Sequence, residues 1–221
     1  MFMDRRDAGK QLAKELTRYQ DRDALVLAIP RGGIPVAFEV ARRINAELSL
    51  IIARKLPFPN NPESGFGAIA EDGSMVILQS AIVNLSNENI DAIIDAQKKE
   101  IQRRIKILRG GHPLPKLNER IVILIDDGIA MGSTMRASIK MCAKSSPARL
   151  VVASPVGSPE LARALRQKEA VDEVVILEQP KYFRAVAQVY QHWRDIPDHE
   201  VLHIMSEWNR NFVKSKHYSK E

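Results

Sequence analysis

The chain has 221 residues, with 33 lysines and arginines against 27 aspartates and glutamates, for a formal net charge of +6. Hydrophobic residues make up 45% and charged residues 27%, a globular balance that excludes a disordered chain, a collagen or a disulfide-dense miniprotein. A single cysteine, Cys142, excludes an intramolecular disulfide and a cysteine-built zinc site, and it fits a reducing compartment.

The cationic excess favours anionic partners such as phosphorylated metabolites, nucleic acid or an anionic membrane surface. Lysine and arginine are spread along the chain, and no basic block has the length of a nucleic-acid arm, so nucleic acid is not the expected partner. The opening stretch MFMDRRDAGKQLAKEL places charges where a signal peptide needs its apolar region. The longest apolar runs, such as 121–125, are far below membrane-spanning length. The expectation is a soluble, cytoplasmic, single domain over 1–221, with a polar tail over about 214–221.

Short apolar runs alternate with helix-period segments, the pattern of an α/β fold with a largely parallel sheet. Residues 7–18 read as a helix with Ala8, Leu12, Ala13 and Leu16 on one face. Residues 24–29 form a first buried strand, 30–33 a turn, 34–45 a helix and 48–53 a second strand, together a βαβ unit. Residues 56–67 hold three prolines and two glycines and read as a long loop, a candidate lid. Asp72-Gly73 between 67–70 and 75–78 suggests a hairpin. Residues 87–108 carry the longest helical pattern, stopped by Gly110, Gly111 and Pro113, and its isoleucine-rich face reads as a core or dimer seam. Strands are expected at 120–125, 150–153 and 174–177. Helices are expected at 134–144, after the Ser158-Pro159 start, and over roughly 198–213, where Val201, Leu202, Met205, Trp208 and Phe212 share a face.

The most informative stretch is IVILIDDGIAMGSTM, residues 121–135. A buried strand delivers Asp126 and Asp127 to its carboxyl end, where ligands of open α/β sheets sit. A small-residue loop follows, with Gly128, Ala130, Met131 and Gly132, and then Ser133 and Thr134 at a helix start. Backbone N–H groups of such a loop and helix terminus attract phosphate, and the two hydroxyls add donors. Two carboxylates beside a phosphate would repel it unless they face sugar hydroxyls or a hydrated Mg²⁺. The local chemistry is that of a phosphorylated sugar with a metal.

This strand, acidic pair, loop and helix resemble the hallmark of the type I phosphoribosyltransferase family, which binds phosphoribosyl pyrophosphate (PRPP). IPRGGIPVA (29–37) resembles the family's pyrophosphate loop. RKLPFPNNPESGFGAIAEDG (54–73) and DEVVILEQPKYFRAVAQVYQHW (172–193) resemble a broad bacterial and archaeal subgroup, and the likeness covers roughly residues 5–210. It implies a three-layer fold with a mostly parallel central sheet flanked by helices, a β-hairpin or loop lid, and a helical C-terminal extension. It also implies that Asp126 and Asp127 hold the ribose hydroxyls or Mg²⁺, directly or through water, and that the loop from Gly128 through Ala130, Met131, Gly132 and Ser133 to Thr134 wraps the 5-phosphate. Arg31, Gly32 and Gly33 would face the pyrophosphate. Arg54 and Lys55 would stand near the leaving group, with Lys55, Arg31 and the acidic pair as catalytic candidates, and 56–67 would close over the site.

The implied reaction is a Mg²⁺-dependent pentosyl transfer of nucleotide metabolism. A nitrogen nucleophile, a nucleobase being the expected acceptor, displaces pyrophosphate, and the enzyme works as a homodimer by family analogy. One departure matters: the family's usual loop threonine is Met131 here. A hydrogen bond lost to a charged group costs on the order of 1.5–3 kcal/mol. This keeps open an alternative, a non-catalytic PRPP-binding regulator, in a version that also binds nucleic acid.

Several other features read as structural. His199-Glu200-Val201-Leu202-His203 matches the H-E-x-x-H zinc pattern but lacks a third ligand, and it reads as two partly exposed histidines on a terminal helix. Cys142 reads as a core filler. Tyr190, Trp193 and Trp208 read as packing of a terminal subdomain. Glu63 and Glu71 read as ordinary loop charges.

Overall fold

The alternation of apolar runs and amphipathic segments becomes, in the computed structural model, a central sheet, a smaller second sheet and the helices that cover them. The structure describes the backbone of residues 1–218 and the side chains there except those of residues 63, 168 and 211–218. The central sheet is parallel, in the order β2-β1-β6-β7-β8. Its strands are β1 (Leu25–Ala28), β2 (Glu47–Leu50), β6 (Ile121–Ile125), β7 (Arg149–Val156) and β8 (Glu173–Glu178). Successive side chains of a strand point to opposite faces, and here both faces are covered, which is why the inner strands β1 and β6 are continuously apolar. Val26 and Ala28 join Ile123, Ile125 and Val151 beneath α1 (Arg5–Glu15) and α2 (Gly33–Ile44). Leu25 and Leu27 join Val122, Leu124 and Val152 beneath α4 (Ser133–Ala143) and α5 (Pro159–Lys168).

A second, antiparallel sheet has the order β3-β4-β5, with β3 Ala53–Phe58, β4 Asn61–Ala70 and β5 Met75–Ile77. The long helix α3 (Asn87–Leu108) follows it and buries Ile90, Ile94, Ile101 and Leu108, so its isoleucine face is core. On the other side, Ala137 of α4 packs against Ala53, Ala68 and Ala70. α6 (Asp198–Tyr218) returns across the α2 face, burying Val201, Ile204 and Trp208, with Trp208 edge-on to Phe38 at 5.7 Å.

Three expectations are corrected. Residues 56–67 are not a loop. They are the distal half of the β3–β4 hairpin, closed by Pro59-Asn60, and the ladder tolerates Pro57 through register shifts on either side of it. A missing N–H is harmless where the pairing is already interrupted. The expected strand over 48–53 is divided, because the chain leaves the central sheet after Leu50 and joins the second sheet at Ala53. The helix begun at Asp198 continues through Tyr218, across most of the expected polar tail. Residues 219–221 and the side chains of Glu63 and Phe212 lie outside the described residues. No helix among the described residues is long and apolar enough to cross a membrane.

Candidate active site

β1 and β6 are neighbours, with Ala28 opposite Ile125. From β1 the chain turns to α2 on one face, and from β6 it turns to α4 on the other. The crevice outside their carboxyl ends is therefore a topological switch point, the usual ligand site of an open α/β sheet. Residues 30–33 and 126–132 meet there. The Pro30–Arg31 peptide is cis. A Cβ on Gly33 would lie 2.8 Å from the Ile125 carbonyl, and one on Gly32 would lie 1.9 Å from Asp127 Oδ2. Both glycines are needed for this close approach.

The loop after β6 is anchored by Ile129, whose N–H donates to the Val156 carbonyl at 2.8 Å. Gly132 then adopts a left-handed conformation with φ of 79° and starts α4 with no side-chain cap. The first N–H groups of α4 are thus unspent, with the positive end of the helix behind them. They open into a cavity of about 380 Å³ lined by Asp126, Gly128, Ala130, Met131, Gly132, Ser133 and Thr134, together with Lys55, Gly65, Gly67 and Arg184. Met131 stands at the rim, 58% exposed. Lys55 reaches the cavity from β3 and lies over Gly65, where a Cβ would come within 2.5 Å of its Cγ.

The two carboxylates are not equivalent. Asp126 lines the cavity, and its Oδ1 accepts the Asp127 N–H at 2.8 Å. Burial, with the neighbouring Asp127 next, pushes its carboxyl well above the ordinary range. Asp127 instead receives Arg5 Nε on Oδ2 at 2.7 Å, and the Tyr190 hydroxyl donates to its carbonyl at 2.6 Å. Arg5 is 7% exposed, donates from Nη1 to the Arg194 carbonyl at 2.8 Å, and lies 3.9 Å from the Trp193 ring centre. Burial, then Asp127, raises the Tyr190 hydroxyl pKa. As a donor set for the expected Mg²⁺, one cavity-facing carboxylate beside a phosphate cradle fits, because Mg²⁺ is commonly held by one or two carboxylates plus substrate phosphates.

The expected residues therefore separate. Asp126, the loop from Gly128 to Thr134 and Lys55 converge on one cavity. Gly32 and Gly33 adjoin the acidic pair. Arg54 does not share that cavity: it neighbours Lys55 on a strand, so it faces the other way, and its Nε donates to Gln97 of α3 at 3.1 Å. Burial, then Arg104, lowers its pKa. Arg31 pairs with Asp198 at 3.3 Å. Glu71 is no loose loop charge, since it is buried against Arg109 at 3.0 Å. His199 and His203 are exposed, and Glu200 takes two hydrogen bonds from Arg194. Among the described residues no three metal-ligating side chains of the His, Cys, Asp or Glu kind are gathered.

Sequence reasoning missed Arg5, Tyr190 and Arg184. The first carries no local pattern that marks it, and the second reads only as packing. The third sits in a stretch noted for its family likeness rather than for its cation.

Comparisons with known proteins point to one family. A family model described as phosphoribosyl transferase domain matches residues 3–190. Two proteins of Mycobacterium tuberculosis, from strains CDC 1551 and H37Rv and provisionally named as phosphoribosyl transferases, are each 37% identical over 217 residues. That stretch covers 97% of this chain and 48% of each relative, so the chain spans about half the length of the curated relatives it matches. The crystal structure of TT1426 from Thermus thermophilus is 36% identical with a TM-score of 0.77, covering 94% of this chain and 99% of that one.

Proposed function

The chain belongs to the phosphoribosyltransferase family, and from that premise we propose that it transfers the ribose 5-phosphate group of PRPP to a nitrogen nucleophile, a nucleobase, releasing pyrophosphate. The observation that carries this reading is the single cavity in which the uncapped start of α4, Asp126 and Lys55 meet. The N–H groups and hydroxyls of Ser133 and Thr134 hold the 5-phosphate at the positive end of the helix. Asp126 accepts hydrogen bonds from the ribose hydroxyls. Lys55 and the turn formed by Arg31, Gly32 and Gly33 face the pyrophosphate. Asp126 would hold Mg²⁺, which would supply charge neutralisation for the leaving group.

In the transfer, the bond from the anomeric carbon to pyrophosphate breaks with its electron pair on the leaving oxygen, a carbon–nitrogen bond forms, and the proton of the nucleobase N–H passes to the leaving pyrophosphate or to water. The transition state is oxocarbenium-like. The protein's share is positioning and fixed charge. The β3–β4 hairpin, whose Gly65 and Gly67 line the cavity, limits water as a competing nucleophile. Arg54 acts behind the site, through Gln97 and α3. A second reading, PRPP binding without turnover, is favoured by Met131, which puts a thioether where a hydroxyl would meet phosphate.

Calorimetric titration of PRPP with Mg²⁺ tests the proposal. Wild type is expected to bind, and Asp126→Asn to lose about tenfold or more in affinity. Equal binding by both would remove Asp126 from the site, and no binding by wild type would end the PRPP reading. Pyrophosphate release with a panel of nucleobases separates transfer from binding alone.

A further inference from the structure

Two adjacent carboxylates beside a phosphate cradle pose an electrostatic problem, and the structure contains an answer in the first turn of α1. We propose that Arg5 is a positioning residue that serves as the built-in counter-cation of Asp127, leaving Asp126 as the one acidic side chain presented to the ligand. This rests on the PRPP reading of the cavity and deepens it.

Five contacts carry the inference. Arg5 Nε meets Asp127 Oδ2 at 2.7 Å, with both side chains nearly excluded from water at 8% and 13% exposure. A second arm of the guanidinium is spent on the Arg194 carbonyl, and its plane lies over Trp193. The same oxygen, Asp127 Oδ2, lies against Gly32, with no room for a methyl group. The Asp127 carbonyl is held by the Tyr190 hydroxyl. Asp127 is thus held by Arg5, Gly32 and Tyr190, whereas Asp126 lines the cavity.

An arginine suits the task, since it stays charged in any buried setting and its fork engages carboxylate and carbonyl together. With Arg5 in place, the dianionic loop presents about one negative charge to an incoming phosphate rather than two. Arg5 also ties the strand-end loop to segments 1–6 and 189–194, so the acidic pair and the roof over it hold one arrangement.

The test is a four-protein cycle of wild type, Arg5→Met, Asp127→Asn and Arg5→Met/Asp127→Asn, each titrated with PRPP and Mg²⁺ and each melted. Removing Arg5 alone leaves Asp127 uncompensated, and PRPP affinity is expected to fall about tenfold or more. Removing the Asp127 charge as well is expected to return most of that loss, and Arg5→Lys to return part of it. A role confined to packing against Trp193 would give no rescue by Asp127→Asn.

PRPP affinity unchanged in Arg5→Met, or a double variant no better than Arg5→Met, overturns the inference. Should Arg5→Met fail to fold, the cycle of melting temperatures with Arg5→Lys in its place decides the matter: coupling between the sites supports the pair, and additivity overturns it. If wild type takes no PRPP, the phosphoribosyl reading has failed. The same melting cycle then still judges the pair.

Discussion

Gly32 is the position where one added carbon does most harm. In Gly32→Ala the new methyl carbon would sit 1.9 Å from Asp127 Oδ2, so the carboxylate or the turn must move. Overpacking of this kind costs about 1–3 kcal/mol, measurable as a lower urea midpoint. An unchanged midpoint would mean that the turn and Asp127 stand further apart than this. Met131 is the opposite case. It is 58% exposed, so Met131→Thr leaves the core intact while adding a hydroxyl at the cavity rim. PRPP affinity is expected to rise about tenfold, read by the same calorimetry. The loop to Thr134 was legible in the sequence, because a strand, two acids, small residues and a helix start follow one another along the chain; Gly32 was legible only through the likeness of residues 29–37 to a family loop. Arg5 was not. Its partner lies 122 positions away, and no local spacing encodes a contact between two parts of a chain that meet only after folding.

At the scale of elements, the second sheet is tied to the first by shared packing and by polar links. One is Arg109, at the end of α3, whose Nη1 donates to Glu71 and to the Leu50 carbonyl at 2.8 Å. Glu71 also accepts the Ile52 N–H at 3.3 Å, so the pair clasps the β4–β5 turn to the crossover between sheets. Burial raises the Glu71 pKa despite Arg109. Removing the cation in Arg109→Met strands a buried acid and is expected to cost about 3–5 kcal/mol in urea unfolding.

Glu100 on α3 behaves in the other direction. Hydrogen bonds from Arg103, with Arg104 also contributing, hold its carboxyl down at about 2. A folded pKa below the ordinary 4.5 contributes stability above that value, and the contribution is lost as pH falls toward about 2. The group is part-exposed, so the effect is below about 1 kcal/mol. Glu100→Gln should flatten the acid limb of a stability-against-pH curve, and an unaltered slope would count against the pair. The hairpin that carries Lys55 was misread from its prolines. Proline content argues against a regular central ladder, but the irregular, two-stranded end of this hairpin asks for no such ladder.

At the scale of the molecule, the alternation of buried runs and amphipathic segments made the parallel, two-faced sheet legible, since continuous apolar strands need cover on both sides. Strand order was not legible. Which strand stands beside β1 depends on crossovers that many sequences could make, and the switch point exists only once β6 lies there. The division into two sheets has a dynamic consequence. The hairpin contributes Lys55, Gly65 and Gly67 to the cavity, so PRPP is expected to slow amide hydrogen exchange in residues 53–70 about tenfold or more. Slowing confined to residues 126–134 would show that the hairpin takes no part in binding.

Phe2 is 1% exposed, and its cover includes Val189 and Tyr190. Synthesis runs from the N-terminus at roughly 5–20 residues per second, so Phe2 leaves the ribosome about 10–40 s before those partners exist. Throughout that interval its ring lacks part of its cover, and Arg5 lacks the Arg194 carbonyl and the Trp193 ring that later hold it. A nascent chain therefore owns its phosphate-type loop well before it owns the lock on Asp127, and residues 1–6 find their place only after residues 189–194 have been made.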